Sequence, residues 1–288
     1  MKRYMVFDVG GTGVKYTIVD ENGVVATPSI SFPSPSQKSA EEVFASFKNV
    51  IESESDIAGV GMAWPGPFDY KNGVSLMDGL GKYQSIYGMN VGEGIKRALG
   101  RGDLDFKYDH DVAAFLSGYV YDERLCDGRV IALVMGTGAG SAFAVNGKIV
   151  GSEENGVPEN GWIYNVPFRD AVIEEWLSSK GIEKLSKKYF GKAIEGKVLF
   201  DMAENGDEDA LKLWKEFGEI VKDGLMQFMP SFGPTDIVFG GMISKAWKYF
   251  GEAFKDDFAS QGVRIHITYE SSKYVFTGLY RMFGVENE

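Results

Sequence analysis

One pattern occurs twice in the chain, and it limits the folds open to it. An apolar run, Tyr4 to Val9, leads into Gly10-Gly11-Thr12-Gly13, then an alternating run from Tyr16 to Val19, then Asn22-Gly23. Further along, Arg129 to Met135 leads into Gly136-Thr137-Gly138-Ala139-Gly140, then Ser141 to Val145, then Asn146-Gly147. Each copy reads as strand, tight glycine turn, returning strand and Asn-Gly hairpin. Repetition of a whole strand–turn unit points to a duplicated α/β fold. Each half then presents one glycine turn to a shared cleft.

The chemistry of such a turn is specific. Glycine lets the backbone approach a ligand closely and leaves amide N–H groups free to point at an anion. Asp8, ending the first strand, is placed to hold Mg²⁺, usually through water, because that ion wants oxygen ligands and keeps much of its hydration. Thr12 adds a hydroxyl donor. A plain glycine hairpin is the competing reading of either copy alone. Two copies could grip one polyphosphate from both sides, and this favours phosphate binding.

Helices and strands alternate along the rest of the chain. A third strand is expected over about Val24–Phe32, and helical spacing covers Ala40 to Ser53 through Val43, Phe44, Phe47, Val50 and Ile51. The buried strand 57–63 runs into Trp64-Pro65-Gly66-Pro67, a rigid turn at a carboxyl end, where open α/β sheets place ligands. Residues 79–89 read as loop, and 90–99 as helix. A short strand, 104–108, ends in Asp109-His110-Asp111, with a helix over 112–121. A cleft loop is expected over 151–165, helix over 168–185 broken near Gly181, and further helix to about Met229. Strand 236–239 ends in Gly240-Gly241-Met242-Ile243-Ser244; a helix over 245–258, a strand over 263–267 and a closing helix from Val275 follow.

Composition removes several classes. The net charge is −11, and no Lys/Arg-rich run supplies a duplex-binding surface, so no nucleic-acid partner is expected. One cysteine and two histidines exclude an internal disulfide and a Cys- or His-rich zinc site. No stretch approaches the roughly 20 apolar residues of a membrane helix. The N-terminal apolar run is too short for a signal peptide, so a cytoplasmic protein is expected, with no membrane partner.

Taken in order, Asp8-Val-Gly-Gly-Thr-Gly, Trp64-Pro-Gly-Pro67, Asp109-His-Asp111, Gly136-Thr-Gly-Ala-Gly and Gly240-Gly-Met-Ile-Ser244 resemble the ROK family of sugar kinases over nearly the whole chain. That resemblance implies an α/β fold of two actin-like ATPase (ribonuclease H-like) domains flanking a cleft. It implies a small domain over 1–108, rejoined by a C-terminal helix over 275–288, and a large domain over 109–274. The implied activity is transfer of the γ-phosphoryl of Mg·ATP to a hydroxyl of a hexose or hexose derivative, with ATP and Mg²⁺ required. Asp8, Gly10, Gly11 and Thr12 match the first phosphate loop, and Gly136, Thr137 and Gly138 the second. Gly240, Gly241 and Ser244 look like the adenosine loop. Asp111 resembles the general base, and Gly66, His110, Asp111, Glu159 and Glu174 resemble the sugar-binding set. This chain departs from the family where His110 replaces an asparagine and Trp162 a histidine, and where the zinc-binding cysteines are missing, so no zinc is expected. The long family members' DNA-binding helix-turn-helix is not expected here.

Alternatives remain at the level of single residues. Asp111 at a helix entrance also reads as a cap; the glycine loops favour the base. Asp109, one residue away, would raise its neighbour's pKa and have its own raised. Glu174 opens a helix, where acids are favoured anyway, and Glu159 also reads as an ordinary loop glutamate. Two other functions are compatible: a catalytically weak ROK-fold sugar sensor without a DNA-binding domain, and an ATPase that activates a partner enzyme, against which the single cysteine argues. A homodimer stays open as the assembly.

Overall fold

The computed structural model describes residues 2–284; the last four positions of the helix expected over 275–288 lie outside them. The chain falls into two units, Met1–Asp122 with Ser272–Glu288, and Glu123–Ser271. The helix that starts at Asp111 thus lies in the first unit, whereas a division at 108/109 assigns it to the second.

In the first unit β1 (Arg3–Val9) turns back into β2 (Gly13–Asp20), and β3 (Ile30–Pro33) lies at the sheet edge. Helix α1 (Ala40–Glu52) follows, then β4 (Ile57–Trp64), a short ribbon of β5 (Phe68–Asp69) and β6 (Val74–Ser75), α2 (Val91–Leu99), β7 (Asp105–His110) and α3 (Asp111–Asp122). The sheet order is β3-β2-β1-β4-β7, antiparallel on the β1 to β3 side and parallel from β1 to β7. Helix α1 forms where a capping box closes its start: Ser39 accepts from the Glu42 amide while the Glu42 carboxylate takes the Ser39 amide. Its buried stripe is Val43, Phe47 and Ile51, one residue per turn.

Alternation along β1 sends its side chains to two different cores. Met5, Phe7 and Val9 pack toward α1, with the Phe7 and Phe47 rings 5.4 Å apart. Tyr4 faces the other way, 6.0 Å from Tyr280 of the closing helix α9 (Ser271–Arg281). Helices α3 and α9 cross at glycine. A Cβ on Gly118 would collide with the Tyr274 carbonyl oxygen, and one on Gly278 with that of Ala114.

The second unit repeats the plan. Strands β8 (Arg129–Met135), β9 (Ala139–Val145) and β10 (Lys148–Val150) precede the ribbon β11 (Pro167–Phe168) and β12 (Ala171–Val172). Helices α4 (Ser179–Phe190), α5 (Gly196–Glu204) and α6 (Glu208–Met226) come next. Then follow β13 (Asp236–Gly240), the short helices α7 (Trp247–Phe250) and α8 (Lys255–Ser260), and β14 (Arg264–Ile267). The order β10-β9-β8-β13-β14 has the same strand senses as the first sheet. The duplication read from the two glycine turns is thus a duplication of topology. Trp214, Phe217, Val221 and Leu225 of α6 fill the core over this sheet. Among the described residues no helix is long and apolar enough to cross a membrane.

Three expectations are corrected. The strand expected over 24–32 forms only a bridge at Val25 and then β3, because Pro28 has no amide to donate and Thr27 binds β2 through its side chain, accepting from Ile18 N at 3.2 Å. The helix expected over 168–185 begins only at Ser179 and runs through Gly181, where a Cβ would meet the Trp176 carbonyl; that glycine admits a close approach and breaks nothing. The helix expected over 245–258 is four short segments from Met242 to Ser260, bent where Gly251 presses on the Trp247 ring.

Gly118→Ala should push α3 off α9 and cost about 2–3 kcal/mol. A urea melt of the full chain should show an early transition for the variant, and an unchanged profile would disprove the crossing.

Candidate active site

The parallel strands of the first unit end in one row. Register pairs Asp8 of β1 with Ala63 of β4, and Ala63 with Asp109 of β7. Paired residues in a sheet share a face, so two carboxylates flank one small side chain. Burial lifts the Asp8 carboxyl above the usual range; the Ser272 hydroxyl opposes that shift, Asp111 adds to it and Lys15 opposes it. Asp109 is pushed up to about 6, by burial first, against a hydrogen bond from the His110 amide, and further by the nearby charge of Asp111. Asp111 is the first residue of α3, and its Oδ1 accepts from the Val112 amide at 2.8 Å. A capping aspartate would instead accept from an amide two or three residues further on, that of Ala113 or Ala114. His110 Nε2 lies 3.3 Å from the same Oδ1, and its ring stands edge-on to Tyr70 at 6.0 Å. Gly66 follows the end of β4 in the turn whose Gly66–Pro67 bond is cis.

The first glycine turn is held from behind through its carbonyls. Gly10 O accepts from the Tyr83 hydroxyl at 3.3 Å, Gly11 O from the Ser36 hydroxyl at 2.9 Å, and Thr12 O from the Ser34 amide at 3.1 Å. Burial pushes the Tyr83 phenol up to about 12, against a hydrogen bond with Ser34. The turn closes on itself through Gly10 N to Gly13 O at 2.9 Å. Among the described residues the amides of Gly11 and Thr12 make no hydrogen bond, and both residues are exposed. The Lys82 side chain lies 3.9 Å from where a Cβ on Gly11 would stand.

The second turn is built the same way. Gly136 N reaches Gly138 O at 2.9 Å, while Ser179 at the start of α4 donates its amide to Gly136 O at 2.9 Å and its hydroxyl to Thr137 O at 3.3 Å. Thr137 is exposed. The third glycine element abuts the second. Gly241 has φ +86°, and a Cβ there would collide with the backbone of Met135, next to Gly136. Ser244 is buried and donates to Gly240 O at 2.7 Å, so its hydroxyl shapes this loop from within. Gly241 N donates to Ser271 Oγ at 3.3 Å.

The two glutamates part company. The Glu174 carboxylate sits against the second turn, 2.8 Å from where a Cβ on Gly138 would stand, and pairs with Lys180 at 3.3 Å. The Glu159 carboxylate is exposed, on a 3-10 turn over Glu159–Gly161. The buried Ser141 hydroxyl anchors that turn, donating to Gly161 O at 2.7 Å and accepting from Ile163 N at 2.9 Å. Local pattern does not single out Ser34, Ser36, Ser179 or Ser272, all of which touch a loop or carboxylate named from sequence, and Tyr83, an aromatic that sequence offers as a sugar-stacking or core residue, is buried behind the first turn. The Pro/Ser stretch after β3 was the available signal for the first two; Ser272, 264 positions from Asp8, had none.

Residues 4–270 match the ROK family. The N-acetyl-D-glucosamine kinase of Aliivibrio salmonicida is 26% identical over 261 residues, covering 84% of this chain and 84% of that one. The structure of a ROK hexokinase from Thermus thermophilus superposes with a TM-score of 0.75 at 16% identity, over 99% of this chain and 100% of that chain. A ROK family glucokinase from Streptomyces griseus, solved in complex with glucose and AMPPNP, gives 0.72 at 17% identity, over 97% and 98%. The chain shares its fold with these two structures.

A carboxyl whose pKa is raised by folding favours the native state while protonated, an advantage lost as the pH climbs through the folded value. For Asp109 that window runs from about 4, the unfolded value, to about 6. Asp109→Asn should therefore match the parent below the window and exceed it above, by up to about 2–3 kcal/mol. Urea unfolding at pH 4 and pH 7.5 tests this; an equal difference at both pH values would refute it.

Proposed function

This chain belongs to the ROK family, and from that premise we propose that it is an ATP-dependent carbohydrate kinase. It transfers the γ-phosphoryl group of Mg·ATP to a hydroxyl of a hexose or hexose derivative. The names of its relatives point first to an N-acetylated amino sugar. The observation that carries the reading is the first glycine turn. Its three carbonyls are engaged from behind, its exposed amides are left for an anion, and it follows a strand that ends in Asp8.

Phosphoryl transfer asks the protein for positioning, charge and a proton acceptor. The amides of Gly11 and Thr12 in one unit, and the Gly136–Gly138 turn in the other, are the phosphate-binding elements. Gly240, Gly241 and Ser244 form the adenosine loop. Asp111 takes the proton of the attacking sugar hydroxyl as the new O–P bond forms and the bond to the β-phosphate oxygen breaks, its electron pair leaving with ADP. The Val112 amide and His110 hold Oδ1 of that base in place. Gly66, His110, Glu159 and Glu174 are the remaining sugar-binding candidates. Glu174, lying against Gly138, also bears on the second phosphate turn.

The carboxylates suit Mg²⁺, which prefers oxygen donors and retains water. Among the described residues no group of three or more His, Cys, Asp or Glu could hold a metal ion. That fits an ion carried in on the nucleotide, with Asp8 reached through water. When bound it would neutralise phosphate charge. The sensor reading draws on the departures at Trp162 and at His110, whose Nε2 lies 3.3 Å from Asp111 Oδ1; turnover with any sugar excludes it.

Asp111→Asn should lower kcat by at least about a hundredfold while ATP-analogue affinity stays within about twofold. An ADP-release assay over hexoses, aminosugars and N-acetyl sugars, with calorimetry, reads both, and retained turnover removes Asp111 from the mechanism. Thr12→Ala and Thr137→Ala should raise KM for ATP several-fold more than KM for sugar; the reverse order would misassign both turns.

A further inference from the structure

Asp8 is reached by two residues that lie far from it in sequence or across a turn. Lys15 is its direct partner in the antiparallel register of β1 and β2. The Lys15 ammonium nevertheless goes to the Ser272 hydroxyl, Nζ to Oγ at 2.9 Å, and Ser272 Oγ goes to Asp8 Oδ2 at 2.7 Å. The direction of this chain follows from the donor inventory. An ammonium only donates, and a hydroxyl has one proton to give. The Ser272 proton therefore points at Asp8, and Lys15 polarises the bond from behind. Among the described residues Asp8 Oδ1 makes no hydrogen bond.

The placement of Ser272 is not adjustable. It is the second residue of α9, and α9 meets α3 backbone to backbone at Gly118 and Gly278. Tyr4, four residues before Asp8 on the same face of β1, packs on Tyr280 of that helix. A rigid helix thus carries one hydroxyl to one oxygen of a partly buried carboxylate.

We propose that Ser272 is a positioning residue of the phosphoryl-transfer site: with Lys15 behind it, it ties down Asp8 Oδ2 and so presents Oδ1 to the water shell of the nucleotide's Mg²⁺. This rests on the kinase reading for the identity of the ligand, but its test does not need turnover. Ser272 acts only through Asp8, so its loss should be felt where the ion is present and not where it is absent.

Calorimetry of the full chain with ADP, in Mg²⁺ and in EDTA, separates these cases. The parent chain should bind ADP more tightly in Mg²⁺. Ser272→Ala should cut that enhancement about tenfold, the size expected for a hydrogen bond to a charged group, and leave affinity in EDTA unchanged. Lys15→Met should cut it less, about threefold, and Ser272→Thr, which keeps the hydroxyl, should restore it. If Ser272→Ala weakens ADP equally in both buffers, the residue is merely structural and the proposal falls. It also falls if the enhancement survives in Ser272→Ala, or if the parent chain shows none. Mg²⁺-dependent ADP binding without phosphorylation of any sugar would overturn the kinase reading and leave this one standing.

Discussion

A central strand buried on both faces has room for a charge only at its end. β1 carries apolar side chains to the α1 core on one face and to α9 on the other, and Asp8 is placed where that burial stops. Parallel pairing then lines up the ends of β1, β4 and β7, so Asp109 comes to the same row with only Ala63 between. Burial discourages ionising either, and the nearby charge of Asp111 adds to the cost at both. The raised values at Asp8 and Asp109 are the electrostatic signature of that arrangement. Such shifts collect at sites that handle charge, and here burial at the strand ends is the first cause of both.

The glycine turns show how a backbone keeps its amides turned outward. An amide is available to a ligand only if its peptide is oriented outward, and that requires the carbonyls to be satisfied on the inner side. In the first unit Tyr83, Ser36 and Ser34 do this; in the second, Ser179 does it alone from the start of α4. The two units reach the same result with unrelated residues. The two units share the strand plan and differ in the residues behind each turn.

Close backbone approach is the other recurrent device. Gly118 and Gly278 let α3 and α9 touch, Gly181 admits the Trp176 carbonyl, and Gly241 brings the third loop onto Met135. Each removes a side chain so that one element can set the position of another. The position of Ser272 over Asp8 depends on the first of these contacts, and the junction of the second and third loops on the last.

The local sequence was enough to locate the strands that bear the site. Alternation and glycine turns identify β1, β2, β8 and β9, and the Asn-Gly at 146–147 adopts the left-handed pair that a tight hairpin demands, with φ +49° and +75°. Asp8, Asp109 and the three glycine loops were legible for the same reason: each lies at or just beyond the end of a recognisable strand. Where a helix or strand depended on what packed against it, the local pattern misled, as at Pro28, Gly181 and Gly251. Partners distant in the chain had no local trace at all. Periodicity is a property of neighbouring residues and survives in sequence; that a serine on the last helix should take one oxygen of Asp8, or a glutamate lie against Gly138, is set by packing between elements, which exists only once the chain has folded.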